Sequence, residues 1–411
     1  MAIVNIIRSL ADVEGRMATW RIGTTKIHKV LEVELPVLLT AALRTNDTAL
    51  LKRYPWPAPG FSGVDGTFVL SVHGLVVDTG TRRILVDTCV GNARASVPFL
   101  RMLDTAWPED LAALGYPPES IDTVVCTHLH FDHIGWNTRL VEGKWVPTFP
   151  RARHLVTRVE WDHWAHEADA DLRDTMQPLI DEGLVDLVGT DHRVCDGVRL
   201  EAAPGHTPGQ VAVVVESGGD RAVITGDLVH HPVQFIEPDV ASLADTDAAQ
   251  AAATRRAFVE RYADTGTLVI GTHFPAPTAG LLRRGGDGAV RFVADGLFGP
   301  TRPGGPEPSS STWTRPASST TSSDSTGPAS ARRPDRTRRP ECRGRGMRAL
   351  GMPRRQGCRA PLPSAAWTVI ADVGTSASSA GRCSPCAWPA PHCPRLSTAS
   401  TRKNSGSPNC R

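Results

Sequence analysis

The chain has 411 residues, with 45 basic and 43 acidic side chains and a formal net charge of +2. This balance hides an asymmetry, because residues 301–411 carry 18 Lys and Arg against 5 Asp and Glu, whereas residues 1–300 carry 27 against 38. The acidic front part argues against a nucleic-acid partner, since phosphate backbones require a basic footprint. The longest apolar run, Leu35–Leu43, is far shorter than the roughly 20 residues that span a bilayer, so we expect no membrane segment.

Cysteine usage and the first residues favour a cytoplasmic location. Only Cys89, Cys126 and Cys195 precede residue 300, and no Cys-x-x-Cys pair occurs among them. A disulfide framework is therefore not expected, and a reducing compartment fits. Residues 1–10 also lack the order of basic, apolar and small residues that marks a secretory signal.

Short β-branched runs alternate with helix-like stretches between residues 20 and 300, after an N-terminal extension over 1–19. The runs that predict strands are Thr67–Val72, Arg83–Asp87, Thr123–Cys126, Val211–Glu216, Ala222–Thr225 and Thr267–Ile270. The stretches that predict helices are Trp107–Leu114, Arg158–Glu167 and Asp245–Ala263, the last capped by Asp245 or Thr246. Strands and helices mixed in this way predict an α/β fold with helices outside sheet cores.

Residues 301–411 lose this periodicity, and Ser, Pro, Arg, Gly and Thr dominate them. Such a composition buries too little apolar surface to offset the entropy of ordering, so we expect a disordered tail. Its basic residues are 17 Arg and the single Lys403, alongside six Cys. This pattern is typical of a GC-rich gene read out of frame, which we favour over the alternative of a basic nucleic-acid-binding arm.

The densest candidate site is His128-Leu129-His130-Phe131-Asp132-His133, directly after an apolar strand. His128 and His130 are two residues apart, so on an extended backbone they point the same way. Imidazoles and a carboxylate without a nearby thiolate suit zinc, and also manganese, iron or cobalt. The structural alternative is a polar loop with chance histidines. With 14 His in the whole chain, three within six positions beside an Asp are not expected by chance.

Three further candidate ligands follow at turns or strand ends. His206 stands in the turn Pro204-Gly205-His206-Thr207-Pro208-Gly209, Asp227 ends an apolar strand as Gly-Asp, and His273 ends another. Alone, a loop histidine is usually just solvated. The repeated placement at strand ends favours one shared site over core packing.

The chain resembles the metallo-β-lactamase superfamily over roughly residues 20–295. The resemblance rests on four features in order: His-x-His-x-Asp-His, the Gly-His-Thr-x-Gly loop, Gly-Asp and a late His. The resemblance implies an αββα sandwich. By position, it assigns His128, His130 and His206 to one metal and Asp132, His133 and His273 to the other, with Asp227 bridging both. Asp87, after the strand Ile84-Leu85-Val86, is then a residue that orients the site loop rather than a ligand.

The resemblance is closest to the quorum-quenching lactonases and related organophosphate hydrolases. It implies two divalent metals, zinc first, that activate a bridging hydroxide to cleave a small-molecule lactone or ester. Asp132 is placed to return the proton to the leaving group. The alternatives are a phosphotriester or phosphodiester hydrolase or nuclease of the same superfamily, and a metal-binding module without turnover.

One position departs from that branch, whose lactonases often have a Tyr three residues after the bridging Asp. Here His230 stands three residues after Asp227 and is followed by His231. We expect His230 to act on the substrate, as a hydrogen-bond donor to developing oxyanion charge. The alternatives are a solvated loop histidine, and an arrangement in which His231 points inward instead.

Overall fold

The computed structural model describes residues 17–294 except 57, 64–65, 96–99, 101 and 166–169, and the side chains of 170 and 171 are also outside the description. The predicted tail over 301–411 and most of the predicted extension over 1–19 therefore lie outside the described residues. In the described part, no helix combines the length and the apolar character that a bilayer crossing requires.

The described residues form sixteen strands. In order they are β1 (Thr19–Ile22), β2 (Thr25–Leu38), β3 (Thr67–Asp78), β4 (Arg83–Val86), β5 (Thr123–Val125), β6 (Thr138–Val141), β7 (Lys144–Pro147), β8 (Arg153–Thr157), β9 (Val185–Val188), β10 (Arg193–Cys195), β11 (Val198–Ala202), β12 (Val211–Ser217), β13 (Asp220–Ile224), β14 (Leu268–Ile270), β15 (Ala279–Arg284) and β16 (Val290–Val293). All six predicted strands are present, with β3 running six residues further than expected.

The α-helices are α1 (Leu39–Ala42), α2 (Trp107–Ala113), α3 (Phe131–Ile134), α4 (Arg158–Trp164), α5 (Ala170–Asp181), α6 (Val233–Ile236) and α7 (Ala248–Tyr262). Helix α4 begins as predicted, because the Thr157 hydroxyl accepts a hydrogen bond from the Glu160 amide, and it ends at Trp164 rather than Glu167. Helix α7 is capped by Asp247, whose side chain accepts from the Gln250 amide, so the prediction of a cap at Asp245 or Thr246 is wrong.

Two seven-stranded mixed sheets contain all strands except the β6–β7 hairpin. The first has the order β1-β2-β3-β4-β5-β8-β9, and the second has the order β10-β11-β12-β13-β14-β15-β16. Strands β4, β5, β8 and β9 pair in parallel, and so do β13 and β14. Since parallel neighbours end at the same edge of a sheet, the loops after β13 and β14 start side by side.

The cores follow from the alternation of side chains along each strand. Val125 and Ile224 belong to the apolar cluster between the two sheets, whereas Val124 and Val223 belong to clusters on the outer faces. The outer face of the first sheet packs on α2 and α5, and that of the second sheet packs on α7. Helices therefore cover both outer faces, and the predicted αββα sandwich is confirmed.

Candidate metal centre

Asp227, three residues after the end of β13, lies at the centre of a cluster of imidazoles. The residue is 2% exposed, and its two carboxylate oxygens face histidine nitrogens at 3.1–3.7 Å. The nitrogens belong to His128, His133, His206, His230 and His273. Residues from four separate segments of the chain thus converge on one buried carboxylate.

Three of these histidines hold their outer ring nitrogen in a fixed hydrogen bond. His133 Nδ1 donates to Asp87 Oδ2 at 2.8 Å, His206 Nδ1 donates to Asp245 Oδ1 at 3.0 Å, and His273 Nδ1 donates to the Ser71 carbonyl at 3.0 Å. A neutral imidazole that donates through Nδ1 has a lone pair on Nε2. In its neutral form, each ring therefore presents an acceptor nitrogen to the interior of the cluster.

His128 is fixed in the same way through an intermediate hydroxyl. The Thr127 hydroxyl donates to Asp87 Oδ2 at 2.8 Å, which leaves its oxygen free to accept from His128 Nδ1 at 3.1 Å. The Thr127 amide also donates to Asp87 Oδ1 at 2.8 Å. Asp87 thus orients both His133 and His128, in agreement with its expected supporting place beside the site loop.

The first candidate subsite is formed by His128, His130 and His206. His130 Nδ1 lies 3.0 Å from His128 Nε2 and 2.9 Å from His206 Nε2. Because one ring nitrogen can donate at most one proton, it cannot satisfy both of these acceptors. A divalent cation bound by all three nitrogens resolves the conflict, so the donor set fits a metal.

The second candidate subsite is formed by Asp132, His133 and His273. The Nε2 atoms of His133 and His273 lie 3.8 and 3.6 Å from the Asp132 carboxylate oxygens. Among the described residues, His133 Nε2 and Asp227 Oδ1 are buried and make no hydrogen bond, although they face each other at 3.2 Å. Buried polar atoms without hydrogen bonds are costly, and a cation between them would satisfy both.

The charges of the cluster differ between its two candidate subsites. Burial lowers the pKa of His128 and His130 well below the ordinary value, so both are neutral near pH 7. Burial would raise the pKa of Asp227, but the neighbouring imidazoles, led by His133 and His273, hold it well below its usual range. Burial opposes a charge on His133 and His273 as well, but Asp227 raises the pKa of both above the ordinary value, so these two rings must release a proton when a metal binds.

His230 and His231 face opposite sides of their loop. His230 is 5% exposed, its Nε2 lies 3.1 Å from Asp227 Oδ2, and its ring stacks on that of His273 at 5.3 Å. His231 Nε2 instead donates to the Phe61 carbonyl at 2.7 Å, and its Nδ1 accepts from the Val233 amide. Of the two, His230 therefore faces the cluster. With Asp227 and His273 it forms a further group whose possible ligand atoms lie within 4.8 Å of one another.

Sequence reasoning missed two buried carboxylates that support the cluster, Asp245 and Glu160. Glu160 accepts from the Leu129 amide at 3.0 Å and, through its other oxygen, from the Gly209 amide at 3.0 Å. It thereby joins the loop of His128 and His130 to that of His206. The signal was present but ambiguous, because Thr157-x-x-Glu160 is also a capping-box pattern.

Comparison with known proteins identifies the family. The profile of the metallo-beta-lactamase superfamily matches residues 67–273, about half of the chain. An N-acyl homoserine lactonase of Bacillus sp. is 31% identical over 107 residues, covering 26% of this chain and 38% of that protein. A probable metallo-hydrolase of Mycobacterium tuberculosis is 28% identical over 187 residues, covering 39% and 58%. The chain thus spans less than two thirds of the length of these relatives.

Solved structures share the fold at low sequence identity. The hydrolase AbOPH, in the beta-lactamase superfamily, superposes with a TM-score of 0.58 at 22% identity, covering 69% of this chain and 98% of that one. AidC, a dizinc quorum-quenching lactonase, gives a TM-score of 0.56 at 20% identity with the same coverage. The profile match, the sandwich fold and the histidine cluster agree, and the chain belongs to the metallo-beta-lactamase superfamily.

Proposed function

We propose that this chain is a dinuclear metal-dependent hydrolase that opens a small lactone or cleaves a small ester. The observation that carries the proposal is the convergence of five metal-ligand histidines and two aspartates around one buried point, with no cysteine in the described metal-ligand clusters. Two divalent ions bound there would activate water as the nucleophile and polarise the scissile carbonyl. Zinc is the first metal to test, because nitrogen and oxygen ligands suit it and one structural neighbour is described as dizinc.

The proposed ligands divide into two sets that share a carboxylate. One set is His128, His130 and His206, the other is Asp132, His133 and His273, and Asp227 contributes to both. This division is supported by the contacts, since Asp227 Oδ2 faces His206 at 3.3 Å while Oδ1 faces His133 at 3.2 Å. His273 lies 3.1 Å from Oδ1 and 3.2 Å from Oδ2, so Asp227 can contribute to both subsites.

Asp132 is the proposed proton carrier. Its side chain is 15% exposed, whereas that of Asp227 is 3% exposed. A carboxylate that reaches both the ligand cluster and the solvent side can accept a proton from the attacking water and return it to the leaving oxygen. The more deeply buried Asp227 has no comparable path for a proton.

His230 is the proposed donor to the oxyanion. Its Nε2 is near Asp227, and its Nδ1 is a buried nitrogen without a hydrogen-bond partner among the described residues. A ring that turns to donate toward the substrate would stabilise charge developing on the carbonyl oxygen. In this role His230 would replace the tyrosine that lactonases of the branch often carry.

A direct assay tests the substrate class. The similarity to the Bacillus lactonase covers only part of each protein, but it favours lactones over nucleic acid, as does the excess of acidic residues in 1–300. The zinc-loaded full chain should be assayed on N-hexanoyl homoserine lactone, an aryl ester, a phosphotriester and RNA. Asp227→Ala serves as the inactive control and Asp239→Asn, an exposed site, as the active one.

We expect lactone or ester turnover that Asp227→Ala abolishes and Asp239→Asn retains. Hydrolysis of RNA or the phosphotriester alone would contradict the substrate assignment but keep the metal-dependent hydrolase. Turnover that survives in Asp227→Ala would contradict the site itself.

A further inference from the structure

Asp245 lies in the segment before α7, and its side chain is fully buried. One carboxylate oxygen accepts from His206 Nδ1 at 3.0 Å. The other accepts from Arg255 Nη2 at 2.7 Å and from the Ser242 amide at 2.9 Å. Because Asp245 takes the Nδ1 proton of His206, the Nε2 lone pair of that ring points into the ligand cluster.

Arg255, on α7, extends this contact to a second site loop. The guanidinium is fully buried, and its Nε donates to the Leu228 carbonyl at 2.8 Å. Leu228 lies between Asp227 and His230, so its carbonyl belongs to the loop that carries both. The Arg255 side chain therefore binds both Asp245, the hydrogen-bond partner of His206, and the backbone next to Asp227.

The main chain reinforces the same link. The Thr246 amide donates to the His206 carbonyl at 2.9 Å, and the Asp247 amide donates to the Gly205 carbonyl at 2.9 Å. Gly205 has φ of +133°, and a Cβ there would lie 2.3 Å from the Ala251 backbone on α7. The His206 loop thus packs directly against this helix, with no room for a side chain between them.

We propose that Asp245 and Arg255 are positioning residues that fix the tautomer of His206 and couple its loop to the loop of Asp227 and His230. This inference rests on the proposed two-metal function. A buried ion pair adds little stability by itself, since apolar residues of similar volume often stabilise a protein equally well. This pair has a role in the site because Asp245 accepts a hydrogen bond from Nδ1 of His206, a proposed metal ligand.

Asp245→Asn in the full chain is the test. In one orientation the Asn amide N–H group faces the donor His206 Nδ1. In the other orientation it faces two donors, the Arg255 guanidinium and the Ser242 amide. We expect the affinity of one zinc ion to fall about 10- to 100-fold in competition with a chromophoric chelator. We also expect the visible absorption bands of the cobalt-substituted protein to change, because the geometry at His206 changes.

Asp239→Asn is the matched control. Asp239 is the exposed partner of Arg256, the residue after Arg255 on the same helix. Zinc affinity and cobalt absorption should both equal those of the wild type. Thermal melting of each metal-free variant separates loss of folding from loss of metal binding.

Three outcomes distinguish the inference from the function that it rests on. Wild-type protein that binds no zinc contradicts the proposed function. Wild-type protein with two zinc ions, together with an Asp245→Asn variant of unchanged affinity and absorption, overturns the positioning role alone, even if that variant is less stable. If Asp245→Asn does not fold, Arg255→Lys replaces it, and unchanged affinity in that variant overturns the coupling.

Discussion

Asp87→Asn tests how strongly one buried carboxylate controls the ligand cluster. Asp87 is 1% exposed and has φ of +57°, a backbone region that Asn tolerates. It accepts three hydrogen bonds, two from Thr127 and one from His133. An amide has one oxygen fewer to accept with, so at least one of these buried donors must face an N–H.

The cost follows from the contact that is lost. A buried donor left without an acceptor costs about 1–3 kcal/mol in the free energy of unfolding. The alternative is that His133 changes tautomer and accepts through Nδ1, which places its proton on Nε2 and removes the lone pair for metal. Either response should weaken zinc binding about 10- to 100-fold, equivalent to about 1.4–2.7 kcal/mol.

The assay is chelator competition for zinc, combined with urea unfolding of the metal-free protein. Asp122→Asn is the control. Asp122 directly precedes β5, at the end of that strand away from the ligand cluster, and its carboxylate accepts a hydrogen bond from the Arg83 amide. That variant should bind zinc as the wild type does. An Asp87→Asn protein that binds two zinc ions with wild-type affinity would refute the proposed control of His133 and His128.

Three other predictions concern separate parts of the chain. His230→Ala should lower turnover about 10- to 100-fold with metal content intact, and His230→Tyr should retain lactone activity; full turnover in His230→Ala removes the residue from the reaction. Burial lowers the pKa of Lys29 from 10.5 to about 8. Below pH 8 the charge on Lys29 therefore lowers the free energy of unfolding, and this loss disappears as the pH rises to 10.5. Lys29→Met should therefore be more stable at pH 7, by up to about 3 kcal/mol, with an advantage that shrinks by pH 10; a constant difference in urea unfolding would contradict this. Truncation after Pro300 should leave turnover within about threefold, because β16 ends at Val293, and a large loss would show that the tail contributes to activity.

The sequence predicted the strands and the ligands that follow them for one physical reason. Buried β-branched runs such as those ending at Ile224 and Ile270 are continuous in sequence, and a polar residue just after such a run stands at the edge of a sheet. The seven predicted ligands all lie in the resulting cluster. Their division between two metal ions stays a prediction.

Strand β2 shows why other elements were not identified. Its buried positions include Lys29 and Glu32, which interrupt the apolar pattern that marks a strand. Tertiary partners explain both residues: Lys29 donates to Thr278, and Glu32 accepts from the amides of Val90 and Gly91. Such partners are far apart in sequence and cannot be inferred from a local pattern.

Asp245 was misinterpreted for a similar reason. An Asp shortly before an Ala-rich helix is the usual sign of an N-cap, and only the packed structure shows that Asp247 takes that place while Asp245 turns to His206. The contact joins residues 39 positions apart.

Metal stoichiometry of the purified full chain tests the central claim most directly. After reconstitution with zinc or manganese and removal of free ions, elemental analysis should give two metal equivalents per chain, and Asp227→Ala should give fewer. A wild-type value that stays near zero with either metal would contradict the account of the cluster as a two-metal centre.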